Sequence, residues 1–331
     1  MSFEVFWQLP PNGDGRSADK ATWTRGDHQA ARRPQTPFAR HGGDETYTYF
    51  DHLVQIVRAA DLAGYDGVFI PQTDEGEEPL VTAGALARDA RRVRFAPELP
   101  AHFLSAVYTA KIATSFQRLS GGRLILNLTT QDPAVHNWHG YDWSEVEQVA
   151  RHDEFLTVFK GFWNDGPYTF EGQYYEVLNG GFAGPLKGQP QPEIWLSGTS
   201  DAALALSAKH ADVHVIDASS PEDAAERIRT LDTLAGRKLK YALRAELTAR
   251  YDEADAKATA AHARSPEAGD AALVGDYQQV ADRLAQYLDA GVSTLVLSAR
   301  PHLEEAYRIA QHVLPRLPGW GVAQLAQIAA E

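Results

Sequence analysis

Apolar runs of strand length recur along the whole chain. They are FEVFWQL (3–9), GVFIP (67–71), VRFAPEL (93–99), RLILNLT (123–129), EIWLSG (193–198), DVHVID (212–217), YALRAEL (241–247) and TLVLS (294–298). Between them lie segments whose apolar positions step by three and four residues, the signature of an amphipathic helix. YFDHLVQIVRAADLAG (49–64) is the first and ends in a glycine stop. LSAVYTAKIATSFQRLSGG, EFLTVFKGFW, SDAALALSAKHA, PEDAAERIRTLDTLAG, YQQVADRLAQYLDAG and HLEEAYRIAQHVL follow. Eight strands alternating with helices predict parallel βα units, and eight such units predict a closed (β/α)8 TIM barrel. An open, doubly wound sheet is the competing arrangement. The strand pattern continues to the last part of the chain without a second boundary, which predicts one domain over 1–331.

Four segments exceed ordinary loop length, near 10–48, 130–145, 164–191 and 250–274. In a barrel, insertions that follow strands lie at the C-terminal mouth, where sites are built. The first, second and fourth qualify by position. The third precedes a strand and reads as peripheral.

The chain has 331 residues, 44% of them hydrophobic, with no cysteine and one methionine. Disulfide and thiolate chemistry are therefore excluded. A net charge of −13 with no basic stripe argues against nucleic-acid binding. The N-terminus lacks the basic and apolar regions of a secretory signal, and no run reaches the ~20 apolar residues needed to span a bilayer. The expected location is cytoplasmic.

Polar residues gather at the ends of the strand runs. Alternation puts Asn127 and Thr129 on one face, Arg244 and Glu246 on one face, and Ser298 and Arg300 on one face. A hydroxyl-rich turn, Ser197-Gly198-Thr199-Ser200, leads from a strand into a helix. Plain structural roles compete. Asn127 could satisfy backbone near a turn, Arg244 and Glu246 could form an ion pair, and His302 could pack at a helix start. Ser200 reads most simply as an N-cap, followed by Asp201 in the first turn. A cap and an anion site are compatible, since free N–H groups at a helix start bind phosphate. His102, His136, His139, His152 and His302 are scattered and form no metal-ligand spacing, so no metal is expected. There is no GxSxG, and the early GDG (13–15) lacks the strand–helix context of a dinucleotide fingerprint.

Beyond periodicity, the chain resembles the luciferase-like flavin monooxygenases, nearest to their two-component alkanesulfonate monooxygenase branch. The segments that carry the resemblance are FWQLPPNGDG (6–15), AADLAGYDGVFIP (59–71), RLSGGRLILNLTT (118–130), WLSGTSDAALALS (195–207) and ALVGDYQQVADRLAQYLDAGVSTLVLSARPHLEEAYR (272–308). The last is the most specific. The resemblance implies a barrel with insertions that binds reduced FMN, supplied by a separate NAD(P)H-dependent reductase, and uses O2 to oxidise its substrate. It implies that Ser197, Gly198, Thr199 and Ser200 contact the FMN phosphate and ribityl chain. Asn127 and Thr129 would lie beside the isoalloxazine, with Pro71 and Gln72 at its floor or edge. Arg244, Arg264 and Arg300 would face the substrate. A homodimer or homotetramer is also implied.

The departures from that family concern the substrate shell. Gly76 stands where relatives carry a cysteine, Glu246 replaces a histidine, Arg300 a tyrosine, Asn12 a histidine, and Val149 a tyrosine that helps hold the phosphate. Three candidate arginines favour a small anionic substrate. Glu246 argues against a simple alkanesulfonate and fits a hydroxyl or ammonium ligand, a base, or a counter-charge for Arg244. A polar, functionalised acid such as a sulfonated sugar is expected, with Glu246 or His302 available as base. The alternatives are a deazaflavin-dependent hydride-transfer enzyme of the same fold, a non-catalytic flavin-binding protein, and an aldolase or isomerase barrel acting on a phosphorylated substrate.

Overall fold

The computed structural model describes residues 3–10, 49–73, 76–100, 104–129, 143–164, 166–217, 220–263 and 273–321. Along the chain run β1 (Glu4–Gln8), α1 (Tyr49–Ala63), β2 (Gly67–Ile70), α2 (Pro79–Leu86), β3 (Arg94–Pro100), α3 (Ala106–Ser120), β4 (Ile125–Thr129) and α4 (Glu145–Gly161). Then come β5 (Tyr168–Glu171), β6 (Glu176–Gly180), β7 (Glu193–Ser197), α5 (Asp201–His210), β8 (Val213–Asp217) and α6 (Pro221–Ala235). The last third holds β9 (Lys240–Arg250), α7 (Glu253–Ala263), β10 (Leu273–Asp276), α8 (Tyr277–Asp289), β11 (Thr294–Ser298) and α9 (His302–His312).

The main sheet has the order β10-β9-β11-β1-β2-β3-β4-β7-β8, and β8 also pairs with β9. That additional pairing closes eight strands into a parallel barrel. All eight are the runs read from the sequence. The ninth strand, β10, lies outside the closed ring and pairs in parallel with the far end of β9, Leu273 opposite Leu247 and Asp276 opposite Arg250. β9 is long enough to serve both neighbours because it continues past the apolar run to Arg250.

By compactness the chain forms two units: residues 1–95, 216–228 and 241–331, and residues 96–215 and 229–240. In the first, β1 pairs with β11 (Val5 opposite Leu295) and with β2 (Trp7 opposite Val68), and β11 pairs with β9 (Val296 opposite Arg244). β2, GVFI, is buried throughout, as expected for a parallel strand covered on both faces. Its core includes Phe6, Trp7, Ile56, Phe69, Leu243 and Leu297. Several polar bonds fix α9 in this unit. Trp7 Nε1 donates to the His302 carbonyl at 3.1 Å, and Tyr65 Oη donates to the Ala306 carbonyl at 2.9 Å. Glu305, 1% exposed, accepts from Arg250 Nη1 and Arg308 Nε, both at 3.0 Å.

In the second unit β4 lies between β3 (Glu98 opposite Asn127) and β7 (Leu128 opposite Leu196), and β7 pairs with β8. Trp195, Phe155, Phe159 and Leu126 fill its core. α3 is capped by Ser105 and ends at Gly121, whose φ of 74° is the left-handed conformation that glycine adopts without a Cβ penalty. The long segment 164–191 is an antiparallel hairpin, β5–β6, followed by a 3-10 turn at Gly184–Leu186. One α4 side chain holds its turn: the Glu154 carboxylate accepts from the backbone N–H groups of Gln173, Tyr174 and Tyr175 at 2.8–3.1 Å.

Candidate active site

In the second unit, β4 presents a buried amide. Asn127 is 1% exposed, and neither its amide nitrogen nor its carbonyl oxygen has a hydrogen-bond partner among the described residues. The alternative in which Asn127 merely satisfies local backbone therefore fails among those residues. A buried, unsatisfied amide costs free energy, and a polar ligand at this position would offset that cost. Its register partner on β3, Glu98, is a second buried polar group, 7% exposed. Two residues further along β4, Thr129 Oγ1 accepts from Ser197 Oγ at 3.4 Å, joining the ends of β4 and β7.

The turn after β7 behaves as its composition predicts. Gly198 has φ of 132°, a conformation side-chain-bearing residues rarely adopt. Thr199 is exposed, and Ser200 caps α5 by accepting from the Ala203 N–H at 3.2 Å. The capping role accounts for the Ser200 oxygen but leaves other first-turn N–H groups without intrahelical partners. Asp201 sits beside them and opposes an anion electrostatically.

The first unit carries a different set. Arg244 and Glu246 are part-buried on one face of β9, between fully covered Leu243, Ala245 and Leu247. Arg244 pairs with a carboxylate on the neighbouring strand. Its Nε lies 2.7 Å from Asp217 Oδ1, at the end of β8. Glu246 faces Arg300, with Nε and Oε1 3.8 Å apart. The register explains the meeting: Ser298 stands opposite Glu246, and Arg300 follows two residues beyond. At 17% and 27% exposure this pair is more enclosed than Arg244–Asp217, and at 3.8 Å it is an ion contact rather than a hydrogen bond.

His302 follows in the first turn of α9. Burial, reinforced by the charge of Arg300 and by His52, lowers its pKa to about 3. Burial likewise lowers that of His52 to about 4. Both are neutral near pH 7. A histidine with so acidic a conjugate acid is a weak proton acceptor. Pro71 follows β2 and lines a small, partly open pocket with Leu9, Pro10, Tyr49, Leu53, Ile70, Glu77 and Thr82. Gln72 donates to the Thr73 carbonyl at 3.3 Å. Gly76, in the place of the family cysteine, donates its N–H to Thr73 Oγ1 at 3.0 Å. Val149 is part-buried on α4. Arg264 and Asn12 lie outside the described residues.

The structure thus groups Arg244, Glu246 and Arg300 with Asp217 in one unit, and Thr129 with Ser197 in the other. Thr129, Ser197 and Asp217 end their strands and Arg300 follows β11, the edge on which barrel enzymes build their sites, whereas Arg244 and Glu246 lie within β9. The sequence reading missed Asp217 and Glu98. Each is an acidic residue inside or ending an apolar run, DVHVID or RFAPELP, and that was the available signal. Among the described residues no group of three or more His, Cys, Asp or Glu could hold a metal ion. No helix among them is long and apolar enough to cross a membrane.

Residues 35–270 match the luciferase-like monooxygenase family, more than half of the chain. The chain belongs to that family. Solved structures of the same fold include an EDTA monooxygenase from Chelativorans sp. BNC1 (17% identity, 99% of this chain and 95% of that one, TM-score 0.74). A riboflavin lyase with modified FMN and riboflavin is similar at 15% identity, 95% and 91% coverage and TM-score 0.74. The coenzyme F420-dependent tetrahydromethanopterin reductase from Methanopyrus kandleri shares 15% identity over 96% of this chain and 100% of its own, with TM-score 0.72. At these identities the structures establish the fold. Within the family, the orphaned Asn127 amide and the glycine-hinged, hydroxyl-bearing turn before α5 are the kinds of group a flavin requires: hydrogen-bond partners for a polar ring edge, and N–H groups for a phosphate.

Proposed function

We propose that the protein is an FMNH2-dependent monooxygenase that uses O2 to oxidise a small, polar, anionic substrate, with a sulfonate or sulfonated sugar as the leading candidate. The buried and unsatisfied amide of Asn127 carries this reading. Asn127 and Thr129 are assigned to the flavin ring, with Pro71 and Gln72 at its apolar floor. Ser197, Gly198, Thr199 and Ser200 are assigned to its phosphate and ribityl chain. Arg244 and Arg300 are assigned to the acid, and Glu246 to a substrate proton or polar group. Arg264 belongs with them by resemblance alone.

Reduced FMN, when bound, supplies two electrons, so that one oxygen atom of O2 enters the product and the other leaves as water. A separate NAD(P)H-dependent reductase would deliver it. The chain's own task is to orient the acid by guanidinium forks and to keep water from the reacting centre. Similarity to F420-dependent structures makes deazaflavin hydride transfer the second reading. One experiment separates the two. Reduced FMN and an acidic substrate are mixed with the protein in air and under argon, and product and O2 consumption are followed. Product that forms only in air, with one O2 consumed per turnover, supports the monooxygenase. Equal turnover under argon refutes it.

A further inference from the structure

Three strands of the second unit set three side chains abreast. Glu98 on β3, Asn127 on β4 and Trp195 on β7 are register partners, and paired residues of parallel strands point to the same side. The single indole donor of Trp195 goes to Glu193 Oε2 at 3.1 Å. A carboxylate such as that of Glu98 accepts hydrogen bonds and donates none. One step further along, Ser197 Oγ and Thr129 Oγ1 are joined to each other. Among the described residues, the carbonyl oxygen and the amide nitrogen of Asn127 both stay without a partner at 1% exposure. The two orphans are opposite in kind. A ligand satisfies both only if it presents a donor next to an acceptor.

We infer that Asn127 selects reduced over oxidised flavin by reading the edge formed by the ring nitrogen N5 and the C4 carbonyl. This inference rests on the assignment of Asn127 to the flavin ring made above. In the oxidised ring N5 carries a lone pair beside the C4 carbonyl, so that edge offers two acceptors. The amide can turn its NH2 towards them, but its own oxygen then stays buried and unsatisfied, which is the costly arrangement. Two electrons and two protons, one proton at N5 and one at N1, convert the edge into a donor beside an acceptor. The Asn127 oxygen then accepts from N5–H, its nitrogen donates to the C4 carbonyl, and both orphans are satisfied. The edge made by N3–H and its neighbouring carbonyl is the same in both states, so contact there gives no preference. A 5-deazaflavin has carbon in place of N5 and no N–H at that position in either state. The amide therefore separates reduced flavin from oxidised flavin and, by the same bond, flavin from deazaflavin.

The test titrates four probes into the full-length protein under argon: oxidised FMN, reduced FMN, and the oxidised and reduced forms of 5-deaza-FMN. Reduced FMN should bind about tenfold or more tightly than oxidised FMN, the equivalent of one buried hydrogen bond made and one orphan removed. The midpoint potential of the bound flavin reads the same ratio independently and should rise by about 30 mV per tenfold, the value for a two-electron couple. The two forms of 5-deaza-FMN should bind alike. Asn127→Leu should bring the two FMN affinities together, with a thermal melt to verify folding; the deazaflavin comparison needs no variant. Equal binding of the two FMN forms overturns the inference. So does a preference for reduced FMN that survives in Asn127→Leu, or a preference of the same size between the deazaflavin forms. In each of those cases flavin still binds and the cofactor assignment stands. Failure of every probe to bind removes the cofactor assignment itself, and the inference with it.

Discussion

Replacing Asn127 by leucine should stabilise the protein and cripple flavin binding at once. The side chain is 1% exposed, and both its polar atoms lack partners among the described residues. Burying an amide without compensation costs about 1–3 kcal/mol in proteins, and leucine has nearly the same volume. The flavin-free Asn127→Leu variant should therefore gain about 1–3 kcal/mol. At about 2.1 cal/mol/K of unfolding entropy per residue, a chain of 331 residues shifts by about 1.4 °C per kcal/mol, so the melt should rise by roughly 1–4 °C. Reduced FMN should bind about 10- to 100-fold more weakly, because a ligand polar group then faces an apolar wall and loses its hydrogen bond. Chemical denaturation without flavin gives the first quantity, and anaerobic fluorescence titration with reduced FMN gives the second. Asn127→Asp sharpens the comparison. It places a carboxylate opposite buried Glu98 and should destabilise, since like charges on paired strand positions repel. A leucine variant that is less stable without flavin, or that binds reduced FMN unchanged, would refute the reading of Asn127 as a ligand group.

Four further outcomes are expected. Arg300→Ala should lower kcat/KM by the equivalent of about 2–5 kcal/mol while the reduced-FMN Kd stays unchanged; equal loss of flavin affinity would make Arg300 a cofactor residue. Burial, with Glu4 nearby, raises the Asp66 carboxyl from 3.8 to about 6 despite its 2.7 Å bond from the Val5 N–H. Its contribution to stability is thus greatest below pH 3.8 and is lost as pH rises through 6, at most about 3 kcal/mol at 1.36 kcal/mol per pH unit. Asp66→Asn should match the wild type near pH 4 and exceed it near pH 8 in parallel urea titrations. Glu305→Ala leaves Arg250, 8% exposed, without its carboxylate and should cost about 3–5 kcal/mol, read from the denaturation midpoint. Ser200→Ala removes the α5 cap and should cost about 1 kcal/mol, a change visible in thermal melts without flavin.

The barrel was legible because its strands are covered on both faces. Such strands read as unbroken apolar runs, and all eight were found. What escaped was shorter or more polar. β10 consists of Leu273–Asp276 alone and owes its pairing to the overlong end of β9, a tertiary fact that four residues cannot announce. The β5–β6 hairpin alternates part-buried and exposed positions, so no apolar run marks it. It is held by Glu154 from α4 rather than by its own sequence. α2, PLVTAGAL, is too short for a helical period to stand out. At the site, alternation placed Arg244 with Glu246 on one face of β9, and the structure agrees. Alternation within one strand cannot name a partner on the next, however, and both arginine–carboxylate pairs cross between strands.

The same limit separates what the family motif identifies from what it leaves open. In LSARPHLEEAYR, Glu305 and Arg308 join the buried contact with Arg250. The backbone of His302 and Ala306 receives Trp7 and Tyr65. These bonds tie α9 to β1, to the start of β2 and to the end of β9, and so they fix the chain at the point where it leaves β11. Arg300 hangs from that fixed point, but none of the bonds involves its side chain. Exchanging residue 300, or Glu246 across from it, changes the local charge without removing any of these anchors. A scaffold whose supports are residues other than the ones assigned to the substrate under the proposed function can keep its recognisable motif while those residues change. That is why the motif can speak clearly about family while leaving the substrate open.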